Sequence, residues 1–311
     1  MLQLSGIDIR LIRLFVTVVE CHGFSAAQVE LNLSAPTIST HMRSLETRLG
    51  VRLCERGRSG FSLTPHGESI YIAAKRLLGA LNDFSVEAGV ARRQLVGELR
   101  LGMVDALLTN RNLHLANAIS IFLKMSPDLR IHISTSSPNE IEKQVIDGYL
   151  HAGLGSFHRQ LSLLAYHPVI LESQGLFCGV HHPLFTREPH KISLKDIENC
   201  NYVDRSYMTD TRTERPFLPL KTYSSVGTME AIATLILSGH FIGHLPVHYA
   251  QYWTDRLEMT EIRPDIFRFD SQFHIVSRAG RSRSLLLDAF IQALQITSKN
   301  HTAAENMPIK Q

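Results

Sequence analysis

Residues 34–50 read SAPTISTHMRSLETRLG, and the spacing inside this stretch decides how the amino-terminal part of the chain folds. Ile38, Met42, Leu45 and Leu49 recur at steps of four, three and four, so a helix places them on one inward side. Ser34 stands where a side-chain oxygen caps the first turn, and Pro36 is tolerated because first-turn amides have no intrahelical acceptor. Thr37, Thr40, His41 and Ser44 are left on the open side. Hydroxyls, methyls and an imidazole offered together suit the donors, acceptors and thymine methyls of the DNA major groove.

The flanks extend this pattern. Upstream, Leu11, Leu14, Phe15, Val18 and Val19 form an apolar stripe closed by Gly23. Ser25 is placed to cap a second, short helix through Ala26, Ala27, Val29 and Leu31, after which Asn32 and Leu33 turn the chain. Downstream comes VRLCERGRSGFSLTP, residues 51–65, in which Val51, Leu53, Phe61 and Leu63 predict two short strands around GRSG. That is a hairpin tip carrying Arg56 and Arg58, with glycines where a tight turn needs them. Between His41 and Arg58 stand five arginines against Glu46 and Glu55, so positive charge is local although the whole chain carries only +3.

Thr64 and Pro65 open a long helix that meets no proline before about Ala91. Its stripe is Ile70, Ala73 or Ala74, Leu77, Leu81, Phe84 and Ala88. At roughly 40 Å it is longer than one small domain needs, which predicts packing against a second copy of itself. From Gly97 strands and helices alternate: GELRLGMV, a helix over 113–125, LRIHIS, a helix opened by SPNE at 137–140, and AGLG. A second unit follows with GLFCGV, a capped short helix at SLKD, a strand near Tyr202, a helix over 227–238, FIGHLP, FHIVSR and a closing amphipathic helix. Such alternation predicts mostly parallel sheets flanked by helices, with a ligand cleft at the strand ends.

Composition bounds the function classes. A chain of 311 residues suggests two or three domains, and 44% apolar with 20% charged residues is the range of a soluble globular protein. Asp8, Arg10 and Arg13 interrupt any leader-like apolar core, and no run reaches the ~18 apolar residues of a membrane helix, so a cytoplasmic protein is expected. Cys21, Cys54, Cys178 and Cys200 match neither a redox pair nor a zinc cluster. His240, His244 and His248 are four apart, but Gly243 and Pro246 argue against one helix carrying them. No metal and no cofactor is expected, and no catalytic motif with an enzyme's spacing is present.

The stretches LIRLFVTVVE, FSAAQVELNLSAPTISTHMRSLETRLGVRLCER and LTPHGE, with HHPLF and SGHFIGHLP further on, resemble a LysR-type transcriptional regulator over roughly residues 7–297. Cys54 stands where the family usually has phenylalanine, and His151 where it often has aspartate. The resemblance implies an all-α winged helix-turn-helix with a long linker helix, followed by an α/β sensor of two subdomains like a periplasmic binding protein. It implies domains at 1–64 (DNA binding), 65–93 (linker and dimerisation) and 94–297 (effector binding). Subdomain I would cover about 94–166 and 268–297, subdomain II about 167–267, with a disordered tail over 298–311.

The expected function is sequence-specific DNA binding governed by a small metabolite. The expected partners are double-stranded DNA, that effector and a homodimer or tetramer. A non-sensing structural DNA-binding protein and a ligand-converting enzyme are the alternatives. DNA is expected to meet Ser34, Pro36, Thr37, Ser39, Thr40, His41 and Ser44, with Arg43, Arg52, Arg56 and Arg58 on phosphates. The linker contacts are Leu77, Leu81 and Phe84. For the effector the candidates are Asp105, Thr109, Ser136, Asn139, Tyr202, Asp204, Ser225, Thr228 and His244. Helix starts there favour an anionic group such as a carboxylate, whereas Asp105 argues for a hydroxyl, an amine or a water-mediated contact.

Overall fold

The computed structural model describes residues 5–57, 60–91, 95–208, 222–280 and 284–305, in two compact units, the first up to residue 92 together with 147–149 and the second the remainder. The first unit begins with α1 (Gly6–Glu20), α2 (Phe24–Leu31) and α3 (Ala35–Leu49). An antiparallel hairpin of β1 (Cys54–Gly57) and β2 (Gly60–Leu63) and the long helix α4 (Pro65–Ala91) complete it. Phe15 and Val18, Ala27, and Ile38, Met42 and Leu45 share one buried cluster with Leu53 and Ala74. Each large apolar side chain removed from water contributes about 1.5–3 kcal/mol. That burial, rather than intrinsic helicity, holds together helices too short to be stable alone.

Local chemistry sets the ends. Asn32, left-handed at φ 49, stops α2, and the Ser34 hydroxyl accepts the Thr37 N–H to cap α3. Two expectations shift. Helix α2 starts at Phe24 with Gly23 as its cap at φ 141, so Ser25 falls inside the first turn. Val29 is 88% exposed, because this eight-residue helix buries Ala27 alone.

Polar fasteners fix α3 in place. Buried Asp8 forms an ion pair with Arg48 and accepts the Ser5 N–H and hydroxyl, each at 2.7 Å. Glu46 Oε1 accepts the N–H groups of Leu53 at 2.7 Å and Cys54 at 3.3 Å, tying the start of the hairpin to the helix.

The second unit opens with β3 (Gly97–Met103), α5 (Leu115–Lys124), β4 (Leu129–Thr135), α6 (Pro138–Ile146) and β5 (Ala152–Gly155), with β3 parallel to both other strands. Next come β6 (Leu164–Gly179), α7 (Leu194–Glu198), β7 (Tyr202–Arg205), β8 (Thr222–Val226) and α8 (Met229–Leu237). The rest is β9 (Ile242–Pro246), α9 (Val247–Thr254), β10 (Met259–Glu261), α10 (Pro264–Phe267), β11 (Phe269–Arg278) and α11 (Leu285–Glu305). Among the described residues nine strands form one sheet in the order β4-β3-β5-β11-β6-β9-β7-β8, with β10 on β6. Two parallel halves, β4-β3-β5 and β9-β7-β8, are joined by the antiparallel pair β6 and β11.

The joining pair departs from expectation. GLFCGV is only the end of the 16-residue β6, whose earlier part was hidden by Pro168. The sheet accommodates that proline, which has no N–H to donate, next to the register shift between Phe273 and His274. Helix α11 also runs to Glu305, where polar composition suggested an irregular tail from Ser298. Once nucleated by buried Leu286, Leu287 and Phe290, a helix propagates through residues that could not start one. Residues 306–311 of that expected tail lie outside the described residues. Among the described residues no helix is long and apolar enough to cross a membrane.

Hydrogen bonds from Arg48 and Ser5 hold the Asp8 carboxyl at about 2, below its usual 3.8. Its stabilising contribution is therefore complete above about pH 4 and fades as pH falls through the folded-state value. Asp8→Asn is expected to lower hydrogen-exchange protection of α1 and α3 amides at neutral pH. The protection of wild type and variant converges as the pH approaches the folded-state value.

Candidate functional site

The outer side of α3 is polar and open. Pro36, Thr40, Arg43, Ser44 and Thr47 are exposed along one face, with Ser34 at its start. Thr37, Ser39 and His41 are half-buried at its margins. The hydroxyls of Ser34 and Thr37 lie 2.8 Å apart, and that of Thr40 donates to the Pro36 carbonyl at 3.0 Å. These contacts orient the hydroxyls while each oxygen keeps capacity to accept another donor. Arg52 is exposed beside the helix, Arg56 lies in β1, and Arg58 falls outside the described residues. On α4, Ala74 is buried and Leu77 packs against the core, Leu81 is half-buried, and Phe84 is 70% exposed.

The second unit holds a cavity of about 240 Å³ beside the strand pair that joins its halves. Tyr202, Asp204 and His244, three of the expected effector residues, line it together. The Tyr202 hydroxyl and His244 Nδ1 are 2.9 Å apart. Gln174, Arg205, Asp270, Gln272 and His274 are among its other polar residues, and Phe157 and Phe269 supply apolar wall. Burial pushes the His274 imidazole below its ordinary value, which favours its neutral form.

Other candidates are placed differently. Asp105 Oδ2 accepts the Met229 N–H and the Thr228 hydroxyl accepts the Ala231 N–H, so both cap α8. Ser136, which follows β4, Asn139, in α6, and Ser225, in β8, are not among the residues lining the cavity; β4 and β8 are the strands at the two ends of the sheet order. Exposed Thr109 instead begins a relay that runs inward. Its hydroxyl meets His248 Nδ1 at 2.8 Å, and His248 Nε2 meets Glu172 Oε1 at 2.8 Å. Glu172, 3% exposed, also accepts from Asn110 Nδ2 at 3.2 Å and Gln174 Nε2 at 2.7 Å. Gln174 Oε1 in turn accepts from Arg205 Nη2 at 2.9 Å.

Glu172, Gln174, Arg205, Gln272 and His274 were not among the expected effector residues. The signal was period-two polarity, at 172 and 174 in β6 and at 270, 272 and 274 in β11. His240, His244 and His248 fall in a turn, a strand and a helix respectively, and no group of metal-holding side chains occurs among the described residues.

Residues 9–68 match the family model "Bacterial regulatory helix-turn-helix protein, lysR family", and residues 92–298 match "LysR substrate binding domain". The chain belongs to the LysR family of transcriptional regulators. It is 39% identical to the HTH-type transcriptional activator BauR of Pseudomonas aeruginosa, over 95% of this chain and 97% of that protein. The HTH-type transcriptional regulator BenM of Acinetobacter baylyi is 28% identical over 61% of each chain. Among solved structures, full-length CbnR complexed with its target DNA aligns with a TM-score of 0.60 at 19% identity, covering 93% of this chain and 99% of that one. That likeness is one of fold. The regulator thus pairs a helix-turn-helix DNA-binding domain with a substrate-binding effector domain. The structural-protein and ligand-converting alternatives give way to this class.

Within the effector domain, Glu172→Leu removes the acceptor of two buried amides. An orphaned buried donor costs about 1–3 kcal/mol, so with two of them the domain is expected to lose roughly 2–6 kcal/mol. The chain's one tryptophan, Trp253 in α9, reports the loss as a lower denaturant midpoint in a fluorescence titration.

Proposed function

We propose that α3 lies in the major groove of a promoter-proximal site, with Thr40, Ser44 and His41 at base edges and Thr37 and Ser39 beside them. The observation that carries this is the division of α3 itself: Ile38, Met42 and Leu45 are buried while Thr40, Arg43 and Ser44 are exposed. Ser34 and Pro36 bring the helix start to the backbone, where N–H groups and the helix dipole favour phosphate. Arg43 and Arg52 contact flanking phosphates, and the β1–β2 hairpin acts as a wing that carries Arg56 and Arg58 along the same duplex.

One such helix reads only a few base pairs, and a twofold copy lengthens the site. Helix α4 provides the copy by pairing with its equivalent through Leu77, Leu81 and Phe84. A ring as exposed as that of Phe84 on an apolar stripe supports this pairing. Two dimers join as a tetramer, acting in the cytoplasm. The effector occupies the cavity between β6, β7, β9 and β11, and acts by binding one subunit arrangement better than another. The description of BauR as an activator supports activation as the output.

Duplexes selected from a random pool by the full-length protein supply a target for the test. Arg43→Ala is expected to weaken binding to all selected sequences alike and to lower the salt slope by about 0.9 per lost phosphate contact. Thr40→Ala is expected to relax preference at particular base pairs by about 1–3 kcal/mol. Anisotropy titrations at several salt concentrations measure both. Unchanged affinity and preference in both variants contradict the proposal.

A further inference from the structure

Arg205 ends β7, is half-buried and lines the effector-domain cavity. Its guanidinium donates to Gln174 Oε1 at 2.9 Å and reaches the Tyr207 hydroxyl. Both partners are neutral. Among the described residues no carboxylate forms an ion pair with this side chain. Asp204 accepts the Arg205 backbone N–H at 2.7 Å. Asp270, on the β11 wall, lies in the field of Arg268, which is itself paired with Glu261.

The geometry around Arg205 is fixed rather than adaptable. Gln174 is 1% exposed, and its amide nitrogen is held by Glu172 Oε2 at 2.7 Å. Its oxygen is therefore turned toward Arg205. Glu172 is anchored in turn by Asn110 and by the His248 and Thr109 pair. A guanidinium offers five donors in a planar fork, and among the described residues its side-chain partners are the neutral Gln174 and Tyr207. An incoming carboxylate adds two charge-assisted hydrogen bonds to that fork. The competing anion position, the start of α8, is already filled by the carboxylate of Asp105.

We propose that Arg205 anchors a carboxylate of the effector, which makes the effector a small organic acid. This rests on the cavity being the effector site. Its volume of about 240 Å³ lies below the roughly 300–1,000 Å³ of sites for drug-sized ligands. The rings of Phe157 and Phe269 cover the carbon skeleton, and Gln272 and His274 are placed to meet further polar groups.

Thermal unfolding of the full-length protein without DNA tests the proposal. The probes are propionate, benzoate and succinate, their amides propionamide, benzamide and succinamide, and alanine. At least one acid is expected to raise the midpoint while its amide does not. Arg205→Met is expected to abolish that shift, and Arg205→Lys, which keeps the charge without the planar fork, to retain only part of it.

Arg205→Met also removes the donor to buried Gln174 Oε1, so its own ligand-free midpoint is the baseline from which its acid shift is read. A larger shift with alanine than with propionate supports the anchor and adds an acidic neighbour for the ammonium group.

An amide matching its acid, an acid shift retained in Arg205→Met, or no response of wild type to any acid overturns the proposal. Since DNA is absent, failure here is separable from failure of the DNA-binding titrations.

Discussion

Ile38, Met42 and Leu45 are almost wholly removed from water against Phe15 and Val18, and this burial fixes the rotation of α3 about its axis. A 15-residue helix pinned along one stripe has no choice about which residues it shows to solvent. Arg48, paired with Asp8, adds a polar stop at its last turn, and Glu46 holds the first residues of the hairpin. The helix and hairpin are therefore positioned as one rigid piece. A recognition surface has to keep its donors in fixed register with base edges, and it is best built on such a piece.

The effector domain follows a different logic. Its two parallel half-sheets are joined by β6 and β11, and the cavity opens beside that joining pair. Polar side chains from both strands face the cavity, which an apolar core would not allow unless they were mutually satisfied. On the β6 side the relay from Thr109 through His248, Glu172 and Gln174 to Arg205 meets that condition. It also ties the turn after β3, in one half, to the end of β7 in the other. A ligand that engages Arg205 therefore acts on groups anchored in both halves, the arrangement needed for binding to favour one conformation over another.

Much of this was legible in the residues. The inward stripe of α3, its Ser34 cap, the hairpin around GRSG and the start of α4 at Pro65 each had a local signal, because caps, turns and helical periodicity are short-range chemistry. The commitment of Arg48 to Asp8 was not legible, since the two lie 40 positions apart and an arginine on an amphipathic helix looks the same whether paired or free. In the effector domain, Tyr202, Asp204 and His244 could be found because they follow or sit in recognisable strands. Gln174 and Gln272 escaped because each lies one residue before the stretch that reads as a strand, GLFCGV and FHIVSR, whereas β6 and β11 begin earlier. Asp105 was visible as a polar group at an element end, but only tertiary structure shows that it meets the start of α8; the Thr228 cap is local chemistry.

The central claim is that α3 reads the major groove in duplicate. Methylation interference with dimethyl sulfate on a selected duplex tests it directly, because guanine N7 lies in the major groove and adenine N3 in the minor groove. The account predicts interference at guanine N7 in two half-sites whose centres are separated by whole helical turns, about 34–36 Å each. Interference confined to adenine N3, or to a single unrepeated half-site, contradicts it.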